Sequence, residues 1–147
     1  MRLWHYALLP YLPELQFKGQ LSEMVAIMHD LRDKGATNHL LINVITCFSK
    51  RNFREYFFLY RLEYMKRYNK DISEKILDEF DAFFKDEFDG IVYPPFEGWH
   101  CEKYLRVCMA NLYEKHTFGQ GSSRITNKEW QRLLDGYKKI TGEDYKI

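Results

Sequence analysis

No stretch of this chain approaches the roughly 20 consecutive apolar residues of a membrane span, and Pro10 and Pro13 interrupt the apolar opening "YALLPYLP" before it reaches the length of a secretory signal. Cysteine is scarce. Cys47, Cys101 and Cys108 are odd in number and lack CxxC spacing, which speaks against a disulfide framework and leads us to expect buried free thiols in a reducing compartment. An excess of one charge is lacking too: 22 basic and 21 acidic residues leave a net charge of +1, so no global field attracts a polyanion and any nucleic-acid contact has to be regional. The five histidines show no recognised metal-ligand spacing, so no metal or organic cofactor is expected. No internal repeat or low-complexity segment is present. These absences lead to the expectation of a soluble, cytoplasmic protein with no membrane partner.

What is present is apolar and aromatic. The 147 residues suit a single domain, 1–147, and a content of 46% hydrophobic and 17% aromatic residues is ample for a core. Eleven Phe, eleven Tyr and three Trp either fill that core or form stacking platforms, and composition does not separate the two uses.

Pattern predicts helices throughout. Pro13 suits the first turn of a helix that runs to Gly35, with Phe17, Leu21, Met24, Val25, Met28 and Leu31 forming one apolar stripe. "NHLLINVITCFS" leaves strand and short buried helix open, with helix preferred, and "NFREYFFLYRLEYMKRYNK" reads as a second long helix. Asp71 and Glu74 have capping-box spacing at the start of "DISEKILDEFDAFFKDEF", the third helix. Gly90, Pro94 and Pro95 break the pattern, and a fourth helix follows with Tyr104, Val107, Cys108 and Leu112 at helical intervals. After the loop "TFGQGSSR", Thr126 and Glu129 give a second capping box that opens a last helix. The expected architecture is all-α, a single compact domain of four to five helices.

Rotation by about 100° per residue puts Glu23 on the side of the first helix opposite the stripe, with Gln16, Gly19, Ala26 and Asp30. Gly19 and Ala26 leave the surface beside this carboxylate nearly bare, so another backbone can approach it. A solvated helical glutamate fits the same pattern. The densest basic region is Lys50, Arg51, Arg54, Arg61, Lys66 and Arg67, with Lys128, Arg132, Lys138 and Lys139 on the last helix.

"MRLWH", followed by the Leu, Pro, Gln, Gly-Gln and Glu of "LPELQFKGQLSEM", resembles the amino-terminal signature of the pyrimidine-dimer DNA glycosylase family, the phage endonuclease V-like enzymes. "YFFLYRLEYMKRY" looks like that family's central helix, and "IVYPPFEGWHCEKYLRVCMANLYEKH" is similar to its later helical segment. The resemblance implies a compact helical DNA repair glycosylase and abasic-site lyase. In that family the free α-amine of the first residue attacks the sugar C1′, forms an imine and cuts the strand by β-elimination. An α-amine suits this task, because a pKa of about 7.7 to 8.0 leaves a neutral fraction at physiological pH.

Carried onto this sequence, the resemblance implies Met1 as nucleophile, retained because the bulky Arg2 opposes its removal, and Glu23 as the catalytic carboxylate. It implies DNA contacts for Arg2, His5, Gln16, Gln20, Arg51 and Arg54, and damaged double-stranded DNA as the partner of a monomer. Arg2 bridges a phosphate or pairs with a carboxylate, while Trp4 and His5 touch substrate or wedge the terminus against the helices. Trp130 and Tyr137 correspond to a closing aromatic element or line the buried side of the last helix. The chain departs from the family where Ser22 replaces an Arg before the catalytic Glu, where the aromatic and basic closing run is absent, and in its near-zero charge. These departures keep open a second reading, a catalytically inactive helical module that binds nucleic acid or protein.

Overall fold

The first long segment folds as α1, Glu14–Lys34, in a computed structural model that describes residues 2–85 and 90–147. Pro13 is its N-cap, Glu14 stands in the positive first turn, and Arg32 and Lys34 stand in the last turn. Gly35, at φ 76°, takes the left-handed conformation that returns its N–H to the Leu31 carbonyl and ends the helix. Then follow α2 (Lys50–Tyr68), α3 (Glu74–Phe84), α4 (Glu102–Phe118) and α5 (Asn127–Thr141), with 3₁₀ turns at Tyr6–Tyr11, Asn43–Cys47 and Gly121–Ser123. The described residues contain no strand, so the all-helical expectation holds. None of their helices is long and apolar enough to cross a membrane.

The second capping box forms as read: Thr126 Oγ1 accepts from the Glu129 N–H at 3.1 Å, and Glu129 returns a carboxylate oxygen to the Thr126 N–H at 3.0 Å. The first does not form. Ser73 caps α3 by accepting from the Ile76 N–H, while Asp71 is drawn away by the Arg61 guanidinium, with contacts of 3.0 and 2.6 Å. "NHLLINVITCFS" forms turns and one short 3₁₀ segment instead of a buried α-helix. Residues 86–88, the end of the expected third-helix stretch, lie outside the described residues, as does residue 89.

The aromatic residues mainly build the core. Phe17, Phe53, Tyr56, Tyr60, Phe80 and Phe96 are all fully buried, with Phe17 stacked on Tyr60 at 4.3 Å and Phe57 on Phe80 at 4.0 Å. Burying a ring with a polar tip requires a partner for that tip. Tyr60 meets the requirement by donating to the Phe17 carbonyl at 2.7 Å. Trp130 and Tyr137 are likewise buried, Trp130 in a stack with His116, which settles them as core residues of α5. Of the thiols only Cys108 is buried; Cys47 and Cys101 are exposed, because one ends a surface turn and the other caps α4.

The 3₁₀ turn Tyr6–Tyr11 is clasped between α2 and α5. Gly136 permits the clasp, since a β-carbon there would clash with the ring of Tyr11. Gly136→Ala therefore sets about 0.5–1 kcal/mol of helix propensity gained against an overpacking cost of about 1–3 kcal/mol. The overpacking is expected to win, and denaturant unfolding should show a net loss of stability. A more stable variant would mean that Tyr11 moves aside freely.

Candidate active site

The amino-terminal segment has no helix of its own until Tyr6, so its peptide groups need partners from elsewhere. Side chains of α1, α2 and α4 supply them. On α1, Gln20 is fully buried: its Oε1 accepts from the Trp4 N–H at 2.8 Å and from the Tyr56 hydroxyl at 3.1 Å, and its Nε2 donates to the Arg2 carbonyl at 2.8 Å. On α2, the Tyr56 hydroxyl also reaches the Trp4 carbonyl at 2.6 Å. On α4, the Tyr104 hydroxyl donates to the Leu3 carbonyl at 2.6 Å, and Cys108 Sγ accepts from the His5 N–H at 3.4 Å. Between α3 and α4, His100 Nδ1 accepts from the Tyr6 N–H at 3.2 Å. A segment that would fray is thus held along its length by side chains more than a dozen residues away.

Glu23 belongs to this set. Its Oε2 accepts from the Arg2 N–H at 2.9 Å, and the side chain is half-buried. The buried face of α1 comprises Phe17, Gln20, Met24, Ile27 and Met28, so it is centred nearer to Gln20 than the apolar stripe suggested. That rotation brings Glu23 and Gln16 from the expected far side to the flank of the buried face, where the terminal segment lies. Gly19 has open space where a side chain would stand, in keeping with the bare flank expected there. Met1, the expected nucleophile, lies outside the described residues.

Arg2 is half-buried, with its guanidinium 4.5 Å from the centre of the Trp4 ring and its Nη1 buried without a hydrogen-bond partner among the described residues. Beside it opens a cavity of about 300 Å³ whose wall includes Arg2, Trp4, Trp99, Tyr104, Val107 and Asn111. A larger hollow of about 470 Å³ is lined by Leu31, Arg32, Lys50, Asp78 and Glu79, includes none of the terminal residues, and mixes charges of both signs.

Two of the expected DNA contacts are instead internal. Gln20 has no exposed surface, and His5 is only 4% exposed, with its Nδ1 accepting from the Ala7 N–H as the cap of the first 3₁₀ turn. His5 therefore takes the wedging role, stacked at 5.3 Å on His100 and at 4.7 Å on Tyr6. Gln16 is half-buried, and its Oε1 has no partner among the described residues. Arg54 donates to the Gly90 carbonyl at 2.8 Å, and Arg51 is half-buried in the first turn of α2. Other members of the basic region also serve the fold. Arg67 pairs with Glu63 at 3.0 Å, donates to the Leu9 and Pro10 carbonyls and lies over Phe17, while Arg132 reaches the Pro10 carbonyl at 2.7 Å. Tyr56, His100 and Tyr104 were not anticipated as parts of the site. A polar Gln20 between Phe17 and Met24 was the available signal, because its angle on the helix is that of a buried residue.

Burial sets the protonation of this region. It lowers His5 from 6.5 to about 4, against an opposing effect of hydrogen bonds with the His100 and Cys101 backbone. Burial and the neighbouring His5 also hold His100 well below the usual range. Burial pushes the Cys108 thiol up to about 11 and raises the Tyr104 phenol, so both remain protonated and neither is a ready nucleophile. Because the unfolded chain protonates its histidines first, their contribution to stability is complete above about pH 6.5 and drains as the pH falls toward about 4. For His5 the shift corresponds to roughly 3 kcal/mol. His5→Asn, which keeps an acceptor for the cap, is expected to flatten the fall in melting temperature between pH 7 and 4.5; an unchanged slope would remove His5 as its source.

Among the described residues, no group of three His, Cys, Asp or Glu side chains is placed to hold a metal ion. Comparison with protein-family models, curated proteins and solved structures found no match to this chain.

Proposed function

We propose that the protein is a DNA glycosylase with abasic-site lyase activity on pyrimidine dimers or another damaged base, acting as a monomer in the cytoplasm. The observation that carries this reading is the 2.9 Å hydrogen bond from the Arg2 N–H to the Glu23 carboxylate. That nitrogen is three covalent bonds from the α-amine of Met1, and among the described residues Glu23 is the carboxylate hydrogen-bonded to the terminal segment, which supports pairing it with the group that the resemblance assigns as nucleophile.

In the proposed reaction the neutral amine of Met1 attacks the sugar C1′, the bond to the base breaks, and the base leaves with a proton. The C1′–O4′ bond then breaks as the nitrogen pair forms C=N, and the ring oxygen takes a proton from solvent to become a hydroxyl, which leaves the protonated imine (Schiff base). Glu23 then accepts the C2′ hydrogen that the imine has acidified, and the electron pair expels the 3′ phosphate. The Glu23 carboxylate also offsets the positive charge of the imine. The clamp around residues 2–7 serves the chemistry by holding the reacting nitrogen, since rate falls steeply when a reacting group is misplaced by about 1 Å. Arg2, in the wall of the cavity beside Trp4, is suited to a phosphate or sugar oxygen.

The internal use of Arg61, Arg67 and Arg132 favours the second reading, a silent helical module, because each arginine bound internally is one fewer for phosphates. Incubation with duplexes bearing an abasic site or a cyclobutane dimer separates the two. Strand scission with an unsaturated 3′ sugar end supports the lyase, whereas binding without scission supports the silent module.

A further inference from the structure

The loop between α1 and α2 displays two leucines that the fold does not use. Leu40 and Leu41 are 89% and 87% exposed, while the adjoining Ile42 is buried. Leaving a leucine in water forgoes about 1.5–3 kcal/mol, so two together at a loop apex invite a use outside the monomer's core. The apex is tied down at its base. The Thr37 N–H and hydroxyl both reach Asn43 Oδ1, at 2.8 and 2.9 Å, and Asn43 Nδ2 donates to the Thr37 carbonyl at 2.9 Å. The Ile42 and Asn43 N–H groups both meet the His39 carbonyl at 3.0 Å. The leucines therefore stand on a hydrogen-bonded pedestal.

The second of them also stands at the candidate active site, since Leu41 and Ile42 form part of the wall of the cavity that holds Arg2 and Trp4, with Leu40 next to it in the chain. An adjoining groove of about 450 Å³ shares Trp99, Tyr104 and Val107 with that cavity and adds Lys103. Arg2 and Lys103 are the charged groups of the two walls; no carboxylate is among their described residues. An apolar tip beside cations matches a duplex, whose stacked bases are flanked by phosphates. A protein partner would require a broad face of about 800 Å², which a two-residue protrusion does not supply.

We propose that Leu40 and Leu41 form a wedge that enters the base stack of distorted duplex DNA next to the candidate active site. The proposal rests on the DNA reading above. An inserted apolar side chain replaces part of the stacking lost when a step is opened, and a damaged step costs least to open. Holding the wedge rigid in the free protein lowers the entropy lost on binding.

The test uses a duplex with a non-cleavable tetrahydrofuran abasic analogue flanked by 2-aminopurine, whose fluorescence rises when it is unstacked. The unsubstituted protein is expected to raise the signal several-fold. The doubly substituted Leu40→Ser, Leu41→Ser protein is expected to leave the signal near that of free DNA and to cleave abasic duplexes at least tenfold more slowly. Its melting temperature should not change. An equal fluorescence rise with the double variant, or no rise with the parent protein, would overturn the wedge. A parent dimer that the substitutions dissociate without altering fluorescence would overturn it in favour of self-contact. Failure of the parent protein to give a borohydride-trapped adduct with an abasic duplex would sink the lyase reading by itself, with the fluorescence still deciding the wedge.

Discussion

Glu23→Gln is expected to slow strand cleavage at an abasic site by roughly 10²- to 10⁴-fold, the range that a positioned general base contributes. The substitution is informative because it separates structure from chemistry. Glu23 Oε2 accepts from the Arg2 N–H at 2.9 Å, and a glutamine side-chain oxygen can accept the same bond. The terminal segment therefore stays anchored and the melting temperature should stay close to that of the parent. The negative charge beside the imine and the acceptor for the C2′ proton are both lost. Covalent trapping by borohydride should persist while elimination fails, and single-turnover kinetics would show an intermediate that accumulates. Cleavage within twofold of the parent rate would remove Glu23 from the reaction.

Gln20→Leu should produce the largest loss of stability. Leucine fills a similar volume but removes an acceptor from the Trp4 N–H and the Tyr56 hydroxyl and a donor from the Arg2 carbonyl. Tyr56 keeps its bond to the Trp4 carbonyl, so the uncompensated groups are the Trp4 N–H and the Arg2 carbonyl. At about 1–3 kcal/mol for each orphaned buried group, the cost is roughly 2–6 kcal/mol. At a few degrees per kcal/mol for a chain of this size, the melting temperature should fall by roughly 10 °C or more. If the leucine variant melts within 2 °C of the parent, water replaces the lost partners and the clamp is not what holds the terminus.

The parts of the fold that were legible in the sequence are those governed by local rules. The helical period of α1 and its Gly35 stop, and the reciprocal Thr126–Glu129 cap, involve residues within a turn or two of one another. Local rules failed where a distant partner competed. Asp71 had the spacing of a cap, but Arg61 on α2 occupies its carboxylate and Ser73 takes its place. Counting apolar residues alone set the buried face of α1 too far from Glu23, because Gln20 is polar and yet fully buried. Nothing near Gln20 in sequence announces the backbone of Arg2 and Trp4 or the hydroxyl of Tyr56 as its partners. The candidate site was legible only as a signature, "MRLWH" with the glutamines and Glu23 behind it. That the glutamine and histidine of this signature hold the terminus, and do not reach outward, became visible when the helices brought α1, α2 and α4 around it.

The most direct measurement is to incubate the untagged protein with a duplex containing an abasic site in the presence of borohydride, digest the covalent product, and locate the reduced adduct by mass spectrometry. The expected result is a secondary amine on the α-nitrogen of Met1, lost when that nitrogen is acetylated or extended by a tag. An adduct on a lysine side chain, or a native amino terminus that yields no adduct, would contradict the assignment of the terminal amine as nucleophile.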